Sequence, residues 1–369
     1  MSQLKHLMGT VRARLPEETL ECIQPYIKKA GITRIADITR LDDLALPVYT
    51  CVRPLSKNLS TSQGKGLTSL LAQCSAYMEG IEHYYAESIV IKKKSAYVKL
   101  KNKEAIHPER FSRGSLFCED LGLVEFNWSE VFSLTNEDKK LIPAEILHFD
   151  LTDSRSNSAY FNKTSTGLAS GNTYLEAVMH ALFEIIERNA LWCFAQCDLH
   201  EKKQRTLDVN TINSPEIKKI IDSLQAKRIQ LLFYDVMNDF GVPAFQCIIS
   251  DEYSVRQVGN FSGSGAHFDK EVALLRALTE AVQSRLTYIS GSRDDVLPGQ
   301  YQRVWSKLSS AKNKDFAAID SVIFHSFDDI FKKLKNIFGA NGYEALCYRH
   351  TNEGDAISVV HCVVPDLPL

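Results

Sequence analysis

The sequence predicts an α/β (α+β) protein in which helices pack on mixed β-sheets. Three long segments carry apolar side chains at spacings of three and four residues, which is the pattern of an amphipathic helix. Short β-branched runs lie beside and between these segments and are typical of buried strands. Interleaved helices and strands indicate this fold class, although periodicity alone does not determine the order of the strands.

The composition is that of an ordinary globular protein without a strong charge bias. The 369 residues contain 43 Lys and Arg against 45 Asp and Glu, with 44% hydrophobic and 24% charged residues. These fractions exclude a largely disordered chain. Nucleic-acid-binding proteins usually carry an excess of basic residues, which this chain with its near-zero net charge does not have. No apolar run approaches the roughly 18–20 residues that cross a bilayer, so we expect no membrane association.

The amino terminus and the cysteines indicate a reducing compartment. The first residues lack the apolar core of a secretory signal, and the nine cysteines include no CxxC pair, so we expect a cytoplasmic protein. Cys193 and Cys197 lie one helical turn apart and could bind a metal with His200. Zinc sites normally have tighter paired spacings, so we interpret these cysteines as small core residues.

The first sixty residues are predicted to form a module of their own. Residues 15–30 fit a short amphipathic helix that ends at Gly31, and the β-branched runs after it fit strands. Residues 57–66 are small and polar, and we place a soft boundary there. The sequence therefore predicts an N-terminal helix and strand module over residues 1–60 and a main domain over residues 61–369.

Further strands are predicted in three places along the main domain. Residues 88–100 fit one or two strands, and residues 229–250 fit two buried strands around a turn at Asn238–Gly241. Residues 356–369 fit a last buried strand followed by a proline-containing tail. Residues 102–150 mix aromatic residues with turn residues and give no clear pattern.

The first long helix is predicted from about Leu67 to Glu87. Ser75, Glu79 and Glu82 follow one another at spacings of four and three residues, which puts them on one side of the helix. Two like charges in this position repel each other unless a cation is bound. On a single helix, however, a solvated polar face is the simpler explanation.

The second long helix is predicted to begin at residues 171–173 and to end near Phe194. Asn172 is a candidate for its N-cap residue. A polar stripe borders the apolar face of this helix at steps of four, four and three residues, and it consists of Glu176, His180, Glu184 and Glu187. Arg188 directly follows this stripe.

The third long helix is predicted from about Asp269 to Tyr288. One of its faces carries polar residues at steps of four, three and four, namely Arg276, Glu280, Gln283 and Thr287. The glycine-rich residues 259–267 precede this helix. We predict that they form a flexible loop whose backbone amides could approach an anion.

Together, the three helices predict a site for a hard divalent cation. Clustered carboxylates are costly unless they are neutralised, and magnesium prefers oxygen ligands and often binds substrate phosphates at the same time. The sequence therefore predicts a site that holds a nucleoside triphosphate through magnesium. It contains no GxxxxGK[ST] motif, so the phosphates would not lie in a P-loop. Lys65, between two glycines, fits a phosphate contact and a solvated lysine in a flexible joint equally well.

These segments resemble the YcaO family. The motifs that carry the resemblance are SAYMEGIE at Ser75–Glu82, TGLASGNTYLEAVMHALFEIIER at Thr166–Arg188 and GSGAHFDKEVALLRALTEAVQSRLTYISGSRDD at Gly263–Asp295. The upstream segment from GITRIADITR to QGKG is similar to the branch whose members are encoded beside a TfuA partner protein. The resemblance covers nearly the whole chain and is weakest over residues 88–150 and 296–350.

The resemblance implies a YcaO-type fold around an ATP and magnesium pocket, and an enzyme that phosphorylates a peptide backbone amide. The attacking nucleophile is then a Cys, Ser or Thr side chain, which gives an azoline, or external sulfide, which gives a thioamide. By position in the motifs, the magnesium ligands, direct or through water, would be Glu79, Glu82, Glu176, Glu184, Glu187 and Glu280. The nucleotide contacts would be Lys65, Ser75, Glu79, Asn172, Glu176, Arg188, Arg276 and Gln283, and the catalytic residues Glu187, Arg188 and Arg276.

One departure from the family pattern bears on the product. Azoline-forming members commonly end in a PxPxP tail, whereas Val364–Leu369 contains only two prolines at a different spacing. Together with the TfuA-like segment, this difference favours thioamide formation on a precursor peptide or protein, with a TfuA-like partner and a sulfide source. The sequence does not name the peptide, and it leaves open whether the enzyme is a homodimer.

Two other classes of function fit parts of the pattern. Glutamates on several helices can build a di-iron or di-manganese oxidase, but such sites usually carry ExxH pairs, whereas this chain has ExxE and ExxER. A non-catalytic docking protein could keep the fold without the activity. The complete set of acidic and basic motif residues argues against that alternative.

Overall fold

The computed structural model describes residues 4–100, 104–114, 120–152, 159–251, 258–293 and 313–369. The described helices are α1 (Pro16–Cys22), α2 (Gln24–Lys29), α3 (Ser69–Ala86), α4 (Tyr174–Gln196), α5 (Leu199–Gln204), α6 (Pro215–Ala226), α7 (Lys270–Ser290) and α8 (Phe327–Ala340). None of these described helices is both long and apolar enough to cross a membrane. Cys118 and the last two residues of the third motif, Asp294 and Asp295, lie outside the described residues.

The described strands in the first half of the chain are β1 (Lys5–Leu7), β2 (Thr10–Arg12), β3 (Arg34–Asp37), β4 (Val48–Val52), β5 (Thr61–Lys65), β6 (Lys93–Ala96), β7 (Glu125–Ser133), β8 (Lys139–Pro143) and β9 (Leu168–Gly171). The second half adds β10 (Leu207–Asp208), β11 (Gln230–Asp235), β12 (Ala244–Ser250), β13 (Asn260–Ala266), β14 (Lys314–Asp315), β15 (Leu346–Arg349) and β16 (Ser358–Val363). This mixture of helices and strands confirms the predicted fold class.

The larger sheets are antiparallel. One sheet has the order β6-β7-β15-β16-β9, with β8 paired to β7, and two three-stranded sheets have the orders β3-β4-β5 and β11-β12-β13. Two smaller pairs are the N-terminal hairpin β1-β2 and the parallel pair β10-β14. Because β4 pairs with β5, the sheet β3-β4-β5 runs across the boundary predicted near residue 60.

The three long helices and the paired strands of residues 229–250 lie where the sequence predicts them. The first predicted helix, over residues 15–30, is divided at Ile23 into α1 and α2. The prediction that Asn172 is the N-cap of the second long helix is wrong, because Thr173 caps α4 by accepting a hydrogen bond from the Glu176 backbone nitrogen. The side chain of Asn172 binds the carboxylate of Glu176 instead.

The prediction of a flexible loop at residues 259–267 is also wrong, because residues 260–266 form the buried strand β13. Its glycines allow close packing against α7. A Cβ atom placed on Gly263 would lie 2.2 Å from the backbone nitrogen of Ala281, and one on Gly265 would lie 2.3 Å from the backbone oxygen of Ala273. Glycine is required here because the helix backbone occupies the space of a side chain.

The same packing occurs at the other two long helices. A Cβ atom on Gly64 in β5 would lie 2.0 Å from the backbone nitrogen of Ala76 in α3, and one on Gly171 in β9 would lie 2.5 Å from that of Ala177 in α4. Each carboxylate-bearing helix is therefore preceded by a strand on which it packs at short distance. These three strand and helix units fix the relative positions of the predicted site residues.

Candidate active site

A cavity of about 980 Å³ lies between the three long helices, β5 and the N-terminal hairpin. All the predicted site residues line it, namely Lys65, Ser75, Glu79, Glu82, Asn172, Glu176, Glu184, Glu187, Arg188, Arg276, Glu280 and Gln283. These side chains come from segments that are far apart in the sequence. The structure therefore brings the three predicted stripes into one site.

Glu187 of α4 and Glu280 of α7 meet at the hydroxyl of Ser264 in β13. The Ser264 Oγ lies 2.6 Å from Glu187 Oε1 and 3.2 Å from Glu280 Oε1, and the Ser264 backbone nitrogen also donates to Glu280. Lys65 Nζ donates to the other oxygen of Glu280 at 2.5 Å. Two carboxylates from two helices thus share one hydroxyl, and one of them also binds a lysine.

Glu82 and Glu184 form the other part of the acidic wall. The Ser170 hydroxyl of β9 donates to Glu82 Oε1 at 2.5 Å, and the Gly167 backbone nitrogen donates to Glu184 Oε2 at 3.1 Å. Arg188 lies 3.6 Å from Glu184, one helical turn along α4. These hydrogen bonds hold the carboxylates in fixed positions, but they supply little positive charge.

Burial and mutual repulsion raise the pKa values of most of these carboxylates. Burial raises the pKa of Glu79 to about 7 and that of Glu184 to about 7, and burial together with Glu79 and Glu184 raises the pKa of Glu82 to about 8. Burial and the charge of Glu280 also raise the pKa of Glu187. Burial alone would raise the pKa of Glu280, but Lys65 and the nearby arginines hold it below its ordinary value.

This acidic wall fits a bound magnesium ion. Several carboxylates that are buried together lose their charge unless a cation is present, and oxygen-rich sites suit magnesium. No three His, Cys, Asp or Glu side chains in the described part of the chain form a ready-made metal cluster. Magnesium commonly takes only one or two carboxylates and completes its coordination with water and substrate phosphates, so a ready-made cluster is not required.

Glu176 and Asn172 lie in the same cavity but have a different environment. Glu176 accepts hydrogen bonds from both the backbone nitrogen and the side chain of Asn172, and from the Ala13 backbone nitrogen at 3.1 Å. Arg12 of the N-terminal hairpin lies 3.4 Å from the same carboxylate. Among the carboxylates in the predicted set, Glu176 is therefore the one that is tied to the N-terminal hairpin.

Arg276 and Gln283 reach the cavity from α7. The buried Nε of Arg276 has no hydrogen-bond partner among the residues that the structure describes, and Gln283 Nε2 donates to the Gln63 backbone oxygen at 2.7 Å. Ser75 lies on the cavity wall formed by α3. An unsatisfied buried guanidinium nitrogen beside a carboxylate cluster is suited to an anionic ligand.

The sequence interpretation missed residues in the strands that precede the helices. Ser170 and Ser264 bind the carboxylates, and the Gln63 backbone oxygen binds Gln283. Each of these residues directly adjoins a glycine that packs on a helix. A polar residue beside a glycine, shortly before an acidic helix, was the signal available in the sequence.

The N-terminal hairpin is a second contribution that the sequence did not predict. Its Arg12 Nη1 lies 2.6 Å from His180 Nε2, and burial together with Arg12 lowers the pKa of His180 well below its ordinary value. His180 therefore accepts this hydrogen bond as a neutral imidazole.

The structure adds no support for the alternative zinc site, since no group of three metal-ligating side chains among the described residues includes Cys193, Cys197 or His200. Both cysteines are half-buried.

Comparison with known proteins identifies relatives of this chain. Residues 63–368 match the family model described as YcaO cyclodehydratase, ATP- and Mg²⁺-binding. An uncharacterized protein in the tfuA 3′ region of Rhizobium leguminosarum bv. trifolii is 35% identical over 305 residues, which are 79% of this chain and 71% of the relative. An uncharacterized protein of Methanothermobacter thermautotrophicus is 30% identical over 292 residues, which are 78% of this chain and 74% of that relative.

Solved structures share the fold. The YcaO protein from Methanopyrus kandleri bound with AMPPCP and Mg²⁺ has a TM-score of 0.75 and 22% sequence identity, with 100% of this chain and 95% of that chain covered. A heterocyclase in complex with substrate and cofactor has a TM-score of 0.76 and 21% identity, with 97% of this chain covered. The chain spans 53% of the length of that heterocyclase.

Proposed function

Because the chain belongs to the YcaO family of ATP- and Mg²⁺-binding proteins, we propose that it activates a peptide backbone amide with ATP and converts that amide into a thioamide. The substrate would be a ribosomally made precursor peptide or protein, sulfide would supply the sulfur, and a TfuA-like protein would be the partner. The observation that carries the ATP-dependent step is the wall of glutamates from α3, α4 and α7 beside Arg188 and Arg276. The relative from a tfuA region supports the choice of thioamide.

The reaction balances without an oxidant or a reductant. The amide oxygen takes the γ-phosphoryl group of ATP, and ADP leaves. Hydrosulfide then adds to the amide carbon, and the former amide oxygen leaves with the phosphoryl group as hydrogen phosphate, which also carries the proton of the hydrosulfide. The products are a thioamide, ADP and hydrogen phosphate.

The residues of this chain would bind and orient rather than form covalent intermediates. Phosphoryl transfer depends mainly on positioning and charge neutralisation. Glu79, Glu82, Glu184, Glu187 and Glu280 would hold magnesium, directly or through water. Magnesium, when bound, neutralises the phosphates and the charge that develops on the leaving group. Arg188 and Arg276 would contact the phosphates, and Lys65 would keep Glu280 ionised.

Four further residues complete the proposed nucleotide site. Ser75 and Gln283 would contact the nucleotide from α3 and α7. Asn172 and Glu176 would contact it from the start of α4, where they bind each other. Because Glu176 already accepts several hydrogen bonds, its contact with magnesium would pass through water.

The product of the reaction tests the proposal. Purified protein would be incubated with ATP, Mg²⁺, sodium sulfide, the TfuA-like partner and a tryptic digest of the host proteome, and the peptides would be analysed by mass spectrometry. We expect one peptide to gain the mass difference between sulfur and oxygen, only when ATP is present. Loss of one water instead would identify an azoline-forming cyclodehydratase, the second product class of the family. ATP hydrolysis with every peptide unchanged would contradict both.

A single substitution tests the assigned site. Glu187→Gln keeps the size of the side chain but removes the charge next to Glu280, and we expect kcat/KM for ATP to fall by about 10²–10³ while thermal stability is retained. The matched control is Glu271→Gln, which lies on the exposed first turn of α7 and outside the cavity. Unchanged activity of Glu187→Gln would contradict the assigned site, whereas a wild-type protein that turns over no ATP would support a docking protein that has kept only the fold.

A further inference from the structure

The cavity follows α3 over much of its length, and its two ends have different chemistry. From Leu71 to His83 the cavity-lining residues of this helix span about 18 Å at 1.5 Å per residue. At the start of α3 the wall includes the apolar side chains of Leu67 and Leu71 beside the N-terminal hairpin, and Met78 follows in the middle of the helix. The glutamates lie further along the helix, and His83 directly follows Glu82.

The apolar end suits the base of the nucleotide, because it offers a hydrophobic surface for a flat ring. If the base lies there, the triphosphate extends along α3 toward Glu79 and Glu82, which are the carboxylates of that helix. The part of the cavity that is lined by His83, Phe149 and residues 163–165 then remains available for the second substrate. Its volume of about 980 Å³ lies at the upper end of the range for ligand pockets, so both substrates can be accommodated.

His83 is the distinctive side chain at this far end. It is 6% exposed, its ring packs edge-on against Phe149 at 5.5 Å, and its Nδ1 has no hydrogen-bond partner among the residues that the structure describes. Asn58 fixes the backbone around it by donating to the oxygens of His83 and Phe149. An imidazole held this firmly, with a polar atom left unsatisfied, is suited to a ligand that supplies a hydrogen bond.

We propose that the end of the cavity formed by His83 and Phe149, together with the polar segment 163–165, binds the peptide backbone amide that is modified, and that His83 hydrogen-bonds to this amide. A neutral imidazole has one donor and one acceptor nitrogen, which match the carbonyl oxygen and the N–H of a peptide unit. The amide is thereby placed next to the glutamates, where the phosphoryl group is transferred. This inference rests on the proposed function and adds the position of the peptide and a residue that binds it.

The first test uses substitutions at two positions at opposite ends of α3, in the assay described above and with the peptide whose mass changes there. His83→Phe keeps a ring against Phe149 but removes both nitrogens, and we expect the KM for peptide to rise about tenfold with an unchanged KM for ATP. His83→Asn, which has a donor and an acceptor, should restore part of this loss. Leu71→Ala should show the reverse, with a raised KM for ATP only.

The outcomes separate the two proposals. If the wild-type protein modifies no peptide, the proposed function fails and this inference fails with it. If the wild type modifies a peptide and His83→Phe has an unchanged KM for that peptide, only this inference is overturned. A rise in the KM for ATP with His83→Phe would also overturn it, because the nucleotide would then occupy the His83 end.

The second test needs no peptide. Single cysteines introduced by His83→Cys and Leu71→Cys would be labelled with N-ethylmaleimide, with and without Mg²⁺ and AMPPCP, and quantified by mass spectrometry. At about 100 times its Kd, AMPPCP should slow labelling of Leu71→Cys about a hundredfold and leave the rate for His83→Cys nearly unchanged. Protection of His83→Cys instead would overturn the inference. Protection of neither position would mean that the nucleotide binds outside this cavity.

Discussion

Two clusters of buried charge lie on different faces of α7, and they differ in how their charges are balanced. On one face, Arg285 lies between two aspartates, 2.5 Å from Asp42 and 2.9 Å from Asp251. Arg285 is 1% exposed, and the ion pair holds the pKa of Asp42 below its ordinary value although burial alone would raise it. On the other face, Glu280 belongs to a group of glutamates of which several have raised pKa values.

The difference between these clusters indicates that the first has a structural role and the second a functional role. The Arg285 cluster is complete, because the guanidinium donates to both carboxylates and the backbone nitrogens of Val258 and Gly259 donate to Asp251. It joins the N-terminal part of the chain to α7 and to the end of β12. In the glutamate cluster, burial and mutual repulsion outweigh the nearby cations, so that the pKa values of Glu79, Glu82 and Glu184 are raised. We call the Arg285 cluster balanced because its contacts hold the pKa of Asp42 below its ordinary value, and we call the glutamate cluster unbalanced. An unbalanced buried cluster indicates a ligand.

The largest expected effect is the loss of stability when the balanced cluster is broken. Arg285→Met keeps a long side chain but leaves two buried aspartates without a cation, and we expect the free energy of unfolding to fall by about 3–5 kcal/mol. Urea unfolding monitored by circular dichroism would measure this loss. The matched control is Arg276→Met, on the same helix but in the cavity, where we expect a loss of less than about 1 kcal/mol. Equal losses would show that both arginines are structural.

The two clusters were not equally predictable from the sequence. The glutamates could be predicted because each stripe lies on one helix, where spacings of three and four residues determine which side chains share a face. The Arg285 cluster could not, because its partners Asp42 and Asp251 lie 243 and 34 residues away and no local spacing relates them. Contacts of this kind depend on the tertiary fold.

The fold shows the same division between what local spacing predicts and what depends on packing. The three long helices have strong periodicity and were located to within a few residues, as at α7, where Asp269 caps the start and Gly291 ends the helix. The strand β13 was mistaken for a loop because its glycines suggest flexibility. They are in fact required by the closeness of α7, which is a property of the packing and not of the local sequence. The N-terminal hairpin was missed because its strands have only three residues each.

The second prediction concerns the unbalanced cluster and its dependence on pH. In EDTA we expect the melting temperature to fall as the pH rises from about 6.5 to 8, because Glu79 and Glu184, with pKa values about 7, and Glu82, with a pKa about 8, then lose their protons. In the unfolded chain these glutamates ionise near pH 4.5, so the folded state holds protons that the unfolded chain has released, and stability falls with rising pH until these protons have left above about pH 8. Differential scanning fluorimetry would measure the change.

Magnesium and nucleotide should remove this pH dependence, since they bind the ionised carboxylates. With Mg²⁺ and AMPPCP at one fixed concentration, about 100 times the Kd at pH 8, we expect a gain of about 2.7 kcal/mol at pH 8 and a smaller gain at pH 6.5. Glu82→Gln, which removes the group with the highest of these pKa values, should weaken the fall seen in EDTA. A melting temperature that is flat in EDTA between pH 6.5 and 8 would show that the glutamates are balanced by groups within the protein.

The smallest expected effect compares two ion pairs of equal length. Lys65 lies 2.5 Å from Glu280, as Arg285 lies 2.5 Å from Asp42, but the Lys65 and Glu280 side chains are 21% and 25% exposed, against 2% and 0% for the other pair. Because water in the cavity replaces most of a lost contact there, we expect Lys65→Gln to cost less than about 1 kcal/mol of unfolding free energy.

The same substitution should raise the KM for ATP, since it removes a cation from the phosphate site and allows Glu280 to take up a proton. Urea unfolding and steady-state kinetics on one preparation would separate the two effects. A loss of stability similar to that of Arg285→Met, with an unchanged KM for ATP, would mean that Lys65 is structural and that the cavity has one cation fewer for a nucleotide.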